Sequence, residues 1–118
     1  MKRLSHTNVE LHLPLRPVAF AVLAALAGGP RPGIEILDEV NATVPGPRLL
    51  GPGTLYRLMR ELRHEGLIGR TGAPSDSPRD ERRAHHELTP LGRSVLRAET
   101  ARLRRTIKLA DAHPRRSG

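Results

Sequence analysis

The sequence predicts a mainly α fold with one small β-hairpin, and three observations support this prediction. Apolar residues recur at helical spacing in four segments, Gly and Pro residues separate these segments, and two short extended runs flank a polar stretch that carries arginines. The chain has 118 residues and no cysteine. We therefore expect one small domain with an appended helix, and no disulfide framework or thiolate metal site.

Two helices and an arm are predicted before residue 45. Residues 17–27 are apolar on all sides and precede a Gly-Gly-Pro break, so this helix is expected in the middle of the fold. Residues 33–44 carry an apolar side and an acidic side, which predicts a second helix on the surface. Residues 1–14 are expected to be an N-terminal arm of ambiguous secondary structure, in which Val9, Leu11 and Leu13 alternate with Glu10 and His12 as in a short strand.

The third predicted helix runs from about Pro52 to Glu65 and has two distinct sides. Proline suits a first helical turn because the amide hydrogen that it lacks would have no partner there, and Gly66 suits a left-handed cap at the other end. At roughly 100° per residue, one side is apolar and the opposite side is basic. The apolar side contains Leu55, Leu58, Met59 and Leu62; the opposite side contains Gly53, Arg57, Arg60 and His64, with Thr54 and Tyr56 on its flanks.

Residues 67–88 predict a hairpin, and residues 89–112 predict a last helix. Two extended runs enclose the polar stretch 72–83, and Thr89 and Pro90 then match an N-cap and a first helical position. The last helix carries one apolar stripe for its own domain and a second one that needs a partner, most simply another copy of the chain. The first stripe contains Leu91, Val95, Ala98 and Leu109, and the predicted dimerisation residues are Leu96, Leu103, Ile107 and Ala110. Residues 113–118 are expected to be a disordered tail.

Three helices followed by a hairpin describe a winged helix-turn-helix domain, here predicted over residues 15–88. The basic side of the third helix then predicts a DNA-reading helix. The formal net charge of +8 favours anionic partners, but residues 89–118, with eight basic and two acidic side chains, hold most of it. The apolar run 18–27 is too short to span a bilayer, which takes about 20 residues. We expect a cytoplasmic, nucleoid-associated protein with no membrane partner.

Two motifs resemble the PadR family of bacterial transcriptional regulators. The first is Pro-Gly-Thr-Leu-Tyr at residues 52–56, followed by Glu-Gly-Leu-Ile at 65–68; the second is Asp-Glu-Arg-Arg at 80–83, followed by Leu-Thr-Pro-Leu-Gly at 88–92. The resemblance covers residues 15–109 and is strongest to the compact subgroup with a single C-terminal helix. It departs from the family pattern at residues 32–35, and at His85, His86 and Glu87, where tyrosines and a basic residue are common.

The resemblance implies a homodimeric repressor that binds a pseudo-palindromic operator on double-stranded DNA. It assigns DNA contacts to Thr54, Tyr56 and Arg57, with Arg82 and Arg83 supporting them from the hairpin. A second role for Tyr56 is equally supported, in which its ring packs against the helix and only its hydroxyl reaches the interface. The residues themselves favour Arg57 and add Arg60, His64 and the Gly53 and Thr54 amides at the helix N-terminus. Salt bridges between the hairpin arginines and their acidic neighbours are nearly as well supported as DNA contact.

Other classes of function have less support in the sequence. There is no nucleophile motif, phosphate-binding glycine loop or cofactor fingerprint, so we expect no enzyme and no cofactor. His85 and His86 cannot easily bind one metal ion, because adjacent strand residues point to opposite faces. A small-molecule effector, whose identity is unknown, in an aliphatic pocket beneath the last helix remains an open alternative. Two other functions also remain: non-specific coating of nucleic acid, and a winged-helix protein-interaction module that does not read DNA.

Overall fold

The computed structural model describes residues 6–43, 49–71 and 78–113, and side chains within residues 8–43, 49–71 and 81–113. It contains six helices and three strands in these ranges. The elements are α1 (His6–Glu10), α2 (Pro17–Ala25), β1 (Arg31–Pro32), α3 (Gly33–Thr43), α4 (Pro52–His64), β2 (Ile68–Arg70), α5 (Pro78–Arg83), β3 (His85–Leu88) and α6 (Pro90–Asp111). Of the predicted tail at residues 113–118, residues 114–118 lie outside the described residues.

The predicted fold class is confirmed, and the sheet has one strand more than the hairpin alone. Strand β3 lies in the centre and pairs antiparallel with both β1 and β2. Ile68 faces Leu88 across the β2–β3 pair, and Arg31 faces His86 across the β1–β3 pair. A two-residue strand that ends in proline has no periodicity of its own, so β1 forms only because β3 supplies its partner.

The structure assigns the ambiguous N-terminal arm and corrects one local prediction. Residues 6–10 form helix α1, although the alternating apolar pattern in the arm resembles a strand. Residues 78–83, which we predicted as part of a polar loop, form helix α5, and Pro78 begins it. Proline at a first helical position is favourable, and it is the local signal that could have predicted this helix.

The core lies between α2, α3, α4, the sheet and the first half of α6. Its fully buried side chains include Leu23 of α2, Ile36 of α3, Met59 of α4 and Val95 of α6. Helices α2, α3, α4 and α6 begin at the predicted residues, whereas α2 ends at Ala25, two residues earlier than predicted. Gly66 has a φ of +80°, as the predicted left-handed cap requires. No helix among the described residues is long and apolar enough to cross a membrane.

Helix α6 is fixed to the domain through its first turn. The Thr89 hydroxyl accepts a hydrogen bond from the Gly92 amide at 3.0 Å, which confirms Thr89 as the N-cap, and donates one to the Gly66 carbonyl. At Gly92 the backbones are so close that a Cβ atom would lie 1.9 Å from the Leu67 carbonyl oxygen. The start of α6 therefore lies directly against the end of α4 and the start of the wing, a name used here for β2, α5 and β3 together.

The inner side of α6 contains a carboxylate that the sequence analysis missed. Glu99 is 1% exposed and accepts hydrogen bonds from the Leu15 amide at 2.8 Å and from Arg102 Nε at 2.6 Å. The hydrogen bond from Arg102 is the main reason why the pKa of Glu99 is lowered. Leu109, which we assigned to the inner stripe, is 65% exposed, because the domain ends before this part of the helix.

Candidate nucleic-acid interface

Helix α4 separates into the two sides that its sequence predicts. Leu55, Leu58, Met59 and Leu62 are buried, as expected. The outward face of α4, defined as Gly53, Thr54, Arg57 and His64, is exposed. Among the described residues, Arg57 has no hydrogen-bond or ion-pair partner, so its guanidinium is free to bind an external anion.

A groove of about 540 Å³ continues from the outward face of α4 towards the start of α2. Across it, Arg16 Nη2 lies 3.5 Å from Glu61 Oε1. Both side chains are exposed, so this pair contributes at most about 1 kcal/mol to stability. The groove gives the helix a concave border with two arginines. Its lining residues are Arg16, Pro17, Val18, Leu50, Thr54, Arg57, Leu58 and Glu61.

Tyr56 is buried, which agrees with the alternative in which its ring packs against the helix, and its contact with DNA stays a prediction. Its side chain is 5% exposed, and burial is the main reason why the pKa of its phenol is raised. The hydroxyl has no hydrogen-bond partner within the described part of the chain. The charged groups that influence its pKa are Glu81 and Arg82 of α5 and Asp38 of α3. Helices α3 and α5 pack against α4, and a helical wheel does not include such neighbours.

Arg60 is only half-exposed, whereas we expected it to point outward. Its Nε atom is buried and has no hydrogen-bond partner in the part of the chain that the structure describes. By helical spacing Arg60 lies on the same side of α4 as Tyr56 and Arg63, four and three residues away, and its buried Nε leaves only part of the guanidinium available to an external partner. Its predicted contact with DNA is untested.

The two wing arginines of the prediction, Arg82 and Arg83, are exposed in the last turn of α5. Between them and the core lies a feature that the sequence analysis did not identify. Glu81, the residue before them, is 0% exposed. Of the acidic neighbours considered for local salt bridges, Glu81 instead accepts hydrogen bonds from Arg63 and Arg70, which lie farther away along the chain. The side chains of the other two, Asp76 and Asp80, lie outside the described residues.

The Glu81 cluster, defined as Glu81, Arg63, Arg70 and His86, joins α4, α5, β2 and β3. Arg63 Nη1 donates to Glu81 Oε2 at 3.0 Å, and Arg70 Nη1 donates to Glu81 Oε1 at 3.0 Å. His86 Nε2 lies 3.0 Å from the Glu81 carbonyl oxygen. Because a carbonyl only accepts, the neutral ring donates from Nε2. The spacings of these partners along the chain give no sequence motif, so only the fold brings them together.

His85 and His86 lie on opposite faces of β3, as predicted. His85 is exposed and His86 is fully buried. Burial lowers the pKa of His86, and this effect exceeds the opposing influence of Glu81. Within residues 8–43, 49–71 and 81–113, no group of three or more His, Cys, Asp or Glu side chains could hold a metal ion.

The four predicted dimerisation residues differ in exposure along α6. Leu96 and Leu103 are half-buried, and Leu96 packs against the core. Ile107 and Ala110 are exposed, with Ile107 at 58%. The second half of α6 thus extends beyond the domain and carries exposed apolar side chains.

A three-helix core, a helix with a free basic face and a small antiparallel sheet together define a winged helix-turn-helix protein. A family model described as the transcriptional regulator PadR-like family matches residues 22–98, and the chain belongs to this family. This confirms the resemblance found in the sequence, and membership in a family of transcriptional regulators supports a regulatory, non-enzymatic role.

Among solved structures, a transcriptional regulator from Clostridium thermocellum is similar, with 19% sequence identity and a TM-score of 0.61. The match covers 94% of this chain and 98% of that one, so the two folds agree over nearly their whole length. No curated protein matches the chain in sequence.

Proposed function

We propose that this protein is a homodimeric, sequence-specific DNA-binding regulator that represses transcription from a pseudo-palindromic operator. The observation that carries the proposal is the free guanidinium of Arg57 on the outward face of α4. A winged-helix domain that belongs to a family of transcriptional regulators supports the same conclusion. In this account α4 enters the major groove and the wing lies near the adjacent minor groove.

The roles at the DNA follow from exposure and chemistry. Arg57 is placed to bind a guanine edge or a phosphate, and the amides of Gly53 and Thr54 at the first turn of α4 are placed to bind a phosphate. Apart from its chain neighbours and the nearby backbone of its own helix, Gly53 has no atom within 4 Å of the position that a Cβ would take, so a DNA backbone can approach there closely. Arg82 and Arg83 add positive charge from the wing.

The proposed dimer brings together two copies of α6. Ile107 and the half-buried Leu103 lie on one side of this helix, roughly 160° and 120°, respectively, from the exposed Leu109 at 100° per residue. A two-fold axis through this side relates the two α4 helices, and the operator must then have matching symmetry. Half-sites about one helical turn apart would allow both helices to enter successive major grooves.

DNA reading is tested by titrating the protein with its own upstream DNA and with a scrambled duplex at fixed salt. Arg57→Ala should weaken binding to the specific site by about 1–3 kcal/mol if Arg57 reads a base. Arg105→Ala is the matched control, because it removes the same charge from an exposed position on α6. Equal weakening on both duplexes would make Arg57 a phosphate contact, and equal wild-type affinity for both would favour a nucleic-acid-coating protein.

The dimer is tested separately by the molecular mass in solution. The double variant Leu103→Asp/Ile107→Asp should be monomeric and should bind the operator weakly, because two charges would be buried in the interface. Leu109→Asp is the control on the other side of the same helix and should remain dimeric. Monomers from Leu109→Asp, with dimers from the double variant, would place the interface on the opposite side of α6.

A further inference from the structure

Helix α5 is connected to the body of the domain through one of its described side chains. Of the three side chains described in this helix, Glu81 is fully buried, whereas Arg82 and Arg83 are exposed. Helix α5 packs on α3 and α4. The buried anchor and the two exposed arginines thus lie within a single helical turn.

The anchor is held from several directions. The Glu81 carboxylate accepts from Arg63 of α4 and from Arg70 of β2, and the Glu81 carbonyl accepts from His86 of β3. The first residue of α3 is also close, since a Cβ added to Gly33 would lie 2.1 Å from the Glu81 carbonyl oxygen. Charge-assisted hydrogen bonds to a guanidinium have defined directions, so these contacts fix the orientation of α5 as well as its distance from α4.

We infer that the Arg63–Glu81 bond is a positioning link for DNA binding, which holds Arg82 and Arg83 at a fixed distance from the outward face of α4. This inference rests on the proposed function and adds to it a residue, Arg63, that contacts the wing and not the DNA. Arg63 lies on the inner side of α4, and its side chain is 18% exposed. Two groups of DNA contacts bind with full affinity only when their spacing is fixed in advance, because otherwise binding must also order the wing.

The link predicts coupling between Arg63 and the wing arginines, which a double-mutant cycle measures. Arg63→Gln removes the bond to α4 and leaves the Arg70–Glu81 bond in place. The wing variant is Arg82→Ala/Arg83→Ala, and operator affinity is measured for the wild type, each variant and their combination. Arg105→Gln, combined with the same wing variant, is the control for loss of one positive charge.

In the wild-type and Arg105→Gln backgrounds, the wing variant should weaken operator binding by roughly tenfold or more, as expected for two lost phosphate contacts. In the Arg63→Gln background it should weaken binding by less than about twofold, because the wing arginines are then already poorly placed. If Arg63 had only a structural role, its replacement would lower the folded fraction but would not change the factor by which the wing variant weakens operator binding. Circular dichroism and the active fraction of each preparation separate these effects.

Arg63→Lys provides a second variant should Arg63→Gln not fold. Lysine keeps the positive charge but cannot form the forked hydrogen bonds of a guanidinium. The Arg63→Lys protein should therefore fold, but it should lose most of the coupling between residue 63 and the wing arginines in operator binding. If the wing variant weakens operator binding by the same factor in the wild-type, Arg63→Gln and Arg63→Lys backgrounds, the inference is overturned and the proposed function is left intact. A wild-type protein with no preference for its operator would overturn both.

Discussion

The Glu81 cluster leads to a prediction about stability that depends on which member is removed. Glu81→Gln keeps the size of the side chain and removes its charge. The carboxylate is 0% exposed, and its partners Arg63 and Arg70 have side chains that are only 18% and 6% exposed. Removing one member of a buried ion pair costs about 3–5 kcal/mol, because the remaining charge keeps its desolvation penalty and loses its partner.

We expect Glu81→Gln to reach the upper part of that range, since one carboxylate bonds to two guanidinium groups. Arg63→Gln should cost less, about 1.5–3 kcal/mol, which is typical of a lost hydrogen bond to a charged group. In this variant the Glu81 carboxylate keeps its bond to Arg70. A small domain has roughly 5–15 kcal/mol of total stability, so the Glu81→Gln protein should unfold at a much lower denaturant concentration than the wild type.

The assay is urea unfolding followed by circular dichroism at near-neutral pH, with the slope of the transition compared between variants. Glu87→Gln is the control, because Glu87 is exposed on β3 and its change should stay within about 0.5 kcal/mol. A Glu81→Gln cost that is no greater than that of Arg63→Gln, or that is below about 1 kcal/mol, would refute the reasoning.

Three further predictions concern single residues. Gly92→Ala should destabilise the protein by about 1–3 kcal/mol or more, because the added Cβ would overlap the Leu67 carbonyl. Gly69→Ala is the control, since a Cβ at Gly69 has no atom within 4 Å and avoids this clash, and urea unfolding compares the stability of the two variants. Burial lowers the pKa of His86 below its ordinary value of 6.5. The unfolded chain therefore takes up a proton that the folded chain resists, so stability should fall as the pH drops below about 6.5, and His86→Gln should lose this part of the decrease. Gly53→Ala should raise the free energy of unfolding by about 0.4–1 kcal/mol, since its Cβ meets open space. The same change should weaken DNA binding if a phosphate approaches this residue, and unchanged affinity would exclude such an approach.

The parts of the fold that could be predicted depend on signals within one element. The spacing of Leu55, Leu58, Met59 and Leu62 predicts the buried side of α4 because a helix repeats its faces within a few residues. Thr89 followed by Pro90 predicts the start of α6, because an N-cap bond forms within one turn. Family motifs near both positions point to the same fold.

The parts that could not be predicted depend on contacts between distant residues. Glu81 lies 18 residues from Arg63 and 11 from Arg70. An isolated carboxylate is expected at the surface, and only such partners make its burial favourable. Burial of Glu99 likewise requires the Leu15 amide, 84 residues away. For the same reason, helical spacing alone predicted the exposure of Arg57 correctly and overestimated the exposure of Tyr56 and Arg60, which lie towards the wing.

The measurement that tests the central claim most directly is a titration of the pure protein with its own upstream DNA and a scrambled duplex at several salt concentrations. The account predicts that the specific site binds about 10³-fold or more tightly than the scrambled duplex, while both affinities fall as salt rises. Equal affinities with the same steep salt dependence, or no binding to either duplex, would contradict it.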